Sequence, residues 1–285
     1  MLSFFPKSIC NPFGYIKTNY SLLIPCGYSG TDAFLKMPDT TSDRIENSYK
    51  YEDAKHEVSH LDTLSPHPRV VEVLSSGKAD ENISYLVMKR YRKNLDAVTG
   101  SISFPEALSY FSQINEGLRY VHSKGVVHRD IAPKNFLLDG STLVLSDFGL
   151  ARNIGVDTDF LPRGTNGYGS PERYDRIIDP AVDYRSFGVV ILGVMAGMKM
   201  KELLSALKAA KVLNASASFS GEQGSILDAF GGKEAYDAQV RRNFSGVSAK
   251  AAETIDHLLD RLLEPDYTER AGADETSSFL AEAKA

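Results

Sequence analysis

A two-lobed α+β fold, a small strand-rich part followed by a larger, mainly helical one, is what this 285-residue sequence predicts. Three observations predict it. Up to about residue 90, short apolar and aromatic runs alternate with turns, interrupted by one helical stretch. From Ser103 onward, apolar residues recur at spacings of three and four, the period of a helix with one buried face. Within that second part, VVHRDIAPKNFLLDGSTLVLSDFGL, from Val126 to Leu150, places two carboxylates, an amide and two cations between short apolar runs.

Each element can be justified in order. Ser21 to Pro25 and Thr31 to Met37 are predicted strands around a glycine-bearing turn, Cys26 to Gly30. Lys36 interrupts the second of these apolar runs, and strand alternation puts Phe34 on the same face. Tyr51 to Leu64 sets Val58, Leu61 and Leu64 at spacing three on one helix face, with Glu52 and Glu57 both on the stretch. Ile83 to Met88 is a strand that leads into Lys89-Arg90-Tyr91, and a hinge falls near residue 92. Ser103-Phe104-Pro105-Glu106 is a capping box with proline in the first turn. The helix it opens carries Leu108, Phe111, Ile114, Leu118 and Val121, and Gly125 stops it. Asp139-Gly140 is a hairpin turn signal, which leaves Asp130 and Asn135 on a loop before it and Asp147 at the end of the strand after it. Asn214 to Gly232, rich in Ser, Gly and Ala, reads as a flexible insertion between two helices.

Bulk composition narrows the class. Hydrophobic content of 42% and charged content of 24% are ordinary for a soluble globular protein, and the length is ample for a buried core. A formal net charge of −5 gives no basic footprint for nucleic acid or an anionic membrane. Cys10 and Cys26 make neither a disulfide framework nor a metal spacing, which points to a reducing compartment, the cytoplasm or the nucleus. The opening MLSFFPKSICNPFG is broken by Pro6, Lys7 and Pro12, unlike a signal peptide. The longest apolar run, Phe187 to Met195, is too short to span a bilayer and reads as a buried helix.

The polar run resembles the catalytic core of the eukaryotic protein kinases. His128-Arg129-Asp130, four residues and Asn135 match that family's catalytic loop, and Asp147-Phe148-Gly149 its metal-binding triplet. The resemblance implies one kinase-like domain over residues 1–285, with the small lobe to about residue 91 and the large lobe from about 92. It also implies magnesium- and ATP-dependent phosphoryl transfer to protein substrates. Asp130 would orient the acceptor hydroxyl, Lys134 would neutralise the moving phosphoryl group, and Asn135 and Asp147 would hold magnesium. Lys36 would contact phosphate and pair with Glu57, Met88 would be the gatekeeper, and the backbone of Lys89 to Tyr91 would bond adenine. Gly164 to Glu172 resembles the end of the activation segment, with Thr165 and Tyr168 of the serine/threonine type. Asp183 would accept backbone hydrogen bonds from the catalytic loop, Arg270 would pair with Glu172, and Arg129 would face Thr158, flanked by Asp157 and Asp159.

Three departures qualify that resemblance. The glycine-rich loop that should precede Lys36 is nearly missing, since Asn11 to Tyr20 offers only Gly14. Phe34 stands where the family usually carries alanine over the adenine ring. Ile131-Ala132-Pro133-Lys134 lacks a lysine two residues after Asp130, and Lys134 stands where tyrosine kinases place a cation. The first two favour a pseudokinase, a binding or scaffold module, as the alternative. Retention of Lys36, Glu57, Asp130, Asn135 and Asp147 favours an enzyme. A small-molecule phosphotransferase of the aminoglycoside or choline kinase type ranks last, because such proteins generally lack a segment like Gly164 to Glu172.

Overall fold

The computed structural model describes residues 14–18, 21–39, 44–81, 83–157, 163–212 and 226–285. The predicted alternation becomes strands β1 (Ile16–Lys17), β2 (Ser21–Tyr28) and β3 (Thr31–Pro38), then helix α1 (Arg44–Leu64), then β4 (Val73–Asp80) and β5 (Ile83–Lys89). The five strands form one antiparallel sheet in the order β1-β2-β3-β5-β4. On β3, Ala33, Leu35 and Met37 bury one face with Cys26 and Val87. Phe34 and Lys36 point to the other face, opposite Met88 and Leu86 of β5, as strand alternation requires.

Two boundaries differ from expectation. Cys26 to Tyr28 belong to β2, because the reversal needs only Ser29 and Gly30, both at positive φ of 48° and 82°. Helix α1 begins at Arg44 and not at Tyr51. Its first turns leave no apolar stripe to read, and Tyr49 is exposed.

The second part opens with β6 (Lys93–Asn94), the short α2 (Leu95–Val98) and α3 (Phe104–Ser123). Ser103 and Glu106 close the predicted capping box on α3, and Gly125 follows its end at φ 74°. Then come β7 (Val126–Val127), β8 (Phe136–Asp139), β9 (Thr142–Leu145) and β10 (Arg152–Asn153). Strand β8 pairs with β9 across the Gly140-Ser141 turn and with β6 on its other edge, while β7 pairs with β10. Helices α4 (Pro180–Met195), α5 (Met200–Ala209), α6 (Lys233–Asn243), α7 (Ala249–Leu262) and α8 (Ala273–Lys284) complete the fold. Every residue of α4 from Val182 to Met195 is buried, which explains the long apolar run without a bilayer. Among the described residues no helix is long and apolar enough to cross a membrane.

The expected flexible insertion needs correction at its C-terminal end. Residues 214–225 lie outside the described residues, but Ile226–Phe230 form a 3-10 turn between α5 and α6. Ile226, Leu227 and Phe230 pack against the main core, and Phe230 meets Tyr236 edge to face at 5.0 Å. Three apolar side chains in a small-residue stretch were enough to anchor it.

Candidate active site

Lys36 is the centre of the cleft between sheet and helices. Its Nζ donates to Glu57 Oε1 and to Asp147 Oδ1, each at 2.7 Å. Strand β3 presents the lysine, α1 the glutamate, and the end of β9 the aspartate, so three distant stretches meet at one atom. Burial alone would lower the lysine's pKa. The carboxylates of Asp147 and Glu57 outweigh it and hold the ammonium firmly protonated. Burial raises Glu57, and the nearby Asp147 adds to this against the pull of Lys36. Asp147, against the partial desolvation of its carboxylate, is held below the usual carboxylate range, first by Lys36. The choice between Glu52 and Glu57 is decided by direction: Glu57 is buried, whereas the Glu52 side chain is 59% exposed and lies 3.8 Å from Lys55.

The loop carrying Asp130 is shaped from below by Asp183 on α4. Its Oδ2 accepts the His128 N–H at 2.8 Å and its Oδ1 the Arg129 N–H at 2.7 Å. The His122 ring lies 2.8 Å from Oδ2 as well, and these partners hold the buried Asp183 ionised despite desolvation. His128 Nδ1 accepts the Asp130 N–H at 3.2 Å, so Nε2 carries the proton and donates to the Ser146 carbonyl at 3.0 Å. Two backbone groups thus fix the tautomer and tie the Asp130 loop to the residue before Asp147. Arg129 and Asp147 both sit at φ 68°, in the left-handed region, a strain that surrounding bonds must hold. Phe148 is fully buried against the His128 ring at 4.7 Å.

Asp130 is itself held in place by several partners. Its Oδ1 accepts both the backbone N–H and the hydroxyl of Thr165 at 2.6 Å. Its Oδ2 accepts from Asn135 Nδ2 at 3.0 Å and lies 3.6 Å from Lys134 Nζ. Asn135 Nδ2 also caps the Asp130 carbonyl at 2.7 Å, which leaves its amide oxygen for the cleft. Asp147 keeps a second oxygen on a side chain that is 43% exposed. One amide and one carboxylate oxygen suit magnesium, which takes few protein ligands and completes an octahedron with water and phosphate.

The cleft has a volume of about 850 Å³ and is walled by Phe34, Lys36, Met88, Leu137, Asn135 and Asp147. A smaller pocket of about 290 Å³ adjoins it and reaches Asp130, Lys134 and Thr165. Lys89 and Tyr91 also line the cleft, but the Lys89 N–H is committed to the Glu72 carbonyl at 3.0 Å and the Arg90 N–H to Asp32 at 2.9 Å. Of the three expected hinge donors, only that of Tyr91 remains for a ligand among the described residues. At the cleft mouth β1 pairs with β2, and the sequence from Ile16 to Ser21 that joins them carries no glycine. Thr18 N–H reaches the Ser21 carbonyl at 2.9 Å, and the Thr18 hydroxyl accepts the Ser21 N–H at 2.9 Å.

Sequence reading missed His122, Thr165 as a partner of Asp130, and the ion pair of Asp53 with Arg163. No local pattern marks them, since each works through a contact more than thirty residues away. Thr158 and Asp159 lie outside the described residues. Away from the cleft, Arg270 pairs with Glu172 as expected, and Ser170, where the family usually has alanine, gives its hydroxyl to the same carboxylate. A second cavity of about 690 Å³ lies beside that pair, against Arg185, Tyr236 and Leu259, and collects none of the predicted site residues.

The sequence model of the protein kinase domain matches residues 34–279. The chain belongs to the protein kinase family. Relatives of this chain include CBL-interacting protein kinase 24 of Oryza sativa subsp. japonica, 34% identical over 59% of this chain and 38% of that protein. A probable serine/threonine-protein kinase of Clostridium acetobutylicum is 28% identical over 64% of this chain and 30% of its own length. Calcium-dependent protein kinase 10 of Arabidopsis thaliana is 30% identical over 61% and 33%. The chain therefore aligns with about a third of the length of these curated relatives.

Proposed function

We propose that this kinase is catalytically competent and transfers the γ-phosphoryl group of magnesium-bound ATP to serine or threonine hydroxyls of protein substrates. The observation that carries the reading is Lys36, bridging Glu57 and Asp147 at 2.7 Å on one wall of a cleft whose floor presents Asp130. Phosphoryl transfer asks the protein for positioning and charge neutralisation more than for covalent chemistry. Lys36 would orient the phosphates and Glu57 would orient Lys36. Magnesium, held by Asn135 and Asp147, would neutralise charge on the phosphates. Asp130 would accept the acceptor hydroxyl's hydrogen bond and align its oxygen, and Lys134, close by and half exposed, would balance the negative charge that develops. Two features support serine or threonine as acceptor: the Thr165 contact with Asp130, and relatives described as serine/threonine kinases. Met88 and the Tyr91 N–H would meet the adenine. Cytoplasm or nucleus is the proposed location.

The pseudokinase reading retains one specific observation. The Phe34 ring stands in the cleft, stacked 5.0 Å under the Arg90 guanidinium, where the adenine roof should be open.

The deciding test is a magnesium-dependent turnover assay with labelled ATP and a generic protein acceptor, run beside Asp130→Asn. The variant keeps the volume of the side chain, so folding should survive while transfer falls by about a thousandfold or more. Equal rates in the two proteins, or no transfer by the wild type, would replace the enzyme with a binding module.

A further inference from the structure

We infer that Asp53 and Arg163 are a positioning pair that clamps the activation segment to α1 and so sets both Glu57 and Asp130. This rests on the kinase reading above. The pair is a fork-to-fork contact: Arg163 donates one nitrogen to Asp53 Oδ2 at 2.6 Å and another to Oδ1 at 2.7 Å. Its side chains are 11% and 19% exposed, which separates it from solvated surface pairs. A second residue of the same helix, Tyr49, lies under the guanidinium at 5.6 Å.

What gives the pair leverage is its position at a junction. Asp53 precedes Glu57 by four residues, one turn along the same face of α1. Arg163 precedes Thr165 by two residues, and Thr165 makes both 2.6 Å contacts with Asp130 Oδ1. The third wall is the turn after Asp147: a Cβ on Gly149 would lie only 3.4 Å from the Asp53 Cβ. Moving α1 outward would withdraw Glu57 from Lys36 and pull Arg163 with it. Displacing Arg163 would strain the Thr165 contacts on Asp130. The polarity also matters, because the helix presents a carboxylate to this segment and the segment supplies the cation. The clamp therefore closes without a phosphate group.

The test uses the full chain after phosphatase treatment, with Asp53→Asn, Arg163→Lys and the exchanged pair Asp53→Arg/Arg163→Asp. The readouts are kcat, KM for ATP, melting temperature and backbone hydrogen exchange. Each single variant should lower kcat at least tenfold while moving the melting temperature by no more than a few degrees. Hydrogen exchange should quicken together at residues 53–60 and 163–169. Coupled single-variant effects, with the double substitution Asp53→Asn/Arg163→Lys no worse than the poorer single, mark one device. Additive losses, or an unchanged kcat with unchanged exchange, overturn it. Recovery by the exchanged pair would strengthen the inference, but the Asn and Lys variants decide it if that pair does not fold. If the wild type transfers nothing, the kinase reading fails, and joint quickening of the two segments still decides the clamp.

Discussion

Replacing Phe34 by alanine should tighten ATP binding while lowering stability, and the two effects can be sized separately. The ring is partly buried and packs toward the main core. Truncating a fully buried phenylalanine costs roughly 3–5 kcal/mol, so this partly buried one should cost about 2–3 kcal/mol. Loss of the Arg90 stacking at 5.0 Å adds less than about 1 kcal/mol, because both groups are partly solvated. For a chain of this size the total corresponds to a melting temperature lower by roughly 4–10 °C. Binding should move the other way. The ring shares its face with Lys36 and stands across the cleft from Leu137, so removing it frees apolar space for the base. A gain of about tenfold in magnesium–ATP affinity, on the order of 1.4 kcal/mol, is expected by calorimetry. Unchanged or weaker affinity in a variant that melts lower would refute the reasoning. Phe34 would then be a wall the nucleotide packs on and not an obstruction.

Lys36→Met should reduce transfer at least a hundredfold and lower stability by roughly 1–3 kcal/mol in denaturant titration, below the range for a fully buried pair because Asp147 stays 43% exposed. His60 on α1 should contribute to acid sensitivity, since burial and then the neighbouring His56 push it down to about 4, below its unfolded value near 6.5. The unfolded chain binds more protons between those values, so this contribution is full above the upper one and is lost as pH falls toward 4, by roughly 2 kcal/mol. His60→Gln should flatten the stability curve in that window and leave its slope near pH 8 unchanged. Phosphatase treatment should change activity by less than about threefold, because Arg129 already donates to the Leu150 carbonyl at 3.3 Å and Asp157 already accepts the Asn153 N–H at 2.6 Å. A large loss restored by rephosphorylation at Thr158 would contradict this.

The polar residues of the cleft were legible in the sequence because the motifs of the protein kinase family keep those residue types at fixed spacing. Asp130, Asn135 and Asp147 fall within eighteen residues of one another and are held on one loop and one hairpin. The face of β3 was legible for a different reason, since a strand alternates strictly and Lys36 marks the polar side. Helix limits were less so: residues 44 to 50 offer only Ile45 and Tyr49 as apolar positions, too few for a periodic signal. Ile226–Phe230 looked like insertion because composition outweighed three scattered apolar residues that found the core. What only the tertiary structure decided are the contacts between remote segments. Glu57 was preferred over Glu52 by where the helix rotates its face, and Asp53 met Arg163 because the segment folds back across α1. The hinge lost two of its three donors to carbonyls of Glu72 and Asp32, a matter of which strands neighbour it. Local chemistry and side-chain period are written along the chain. Partners across 35 to 111 residues are set by packing, which no single stretch of sequence carries.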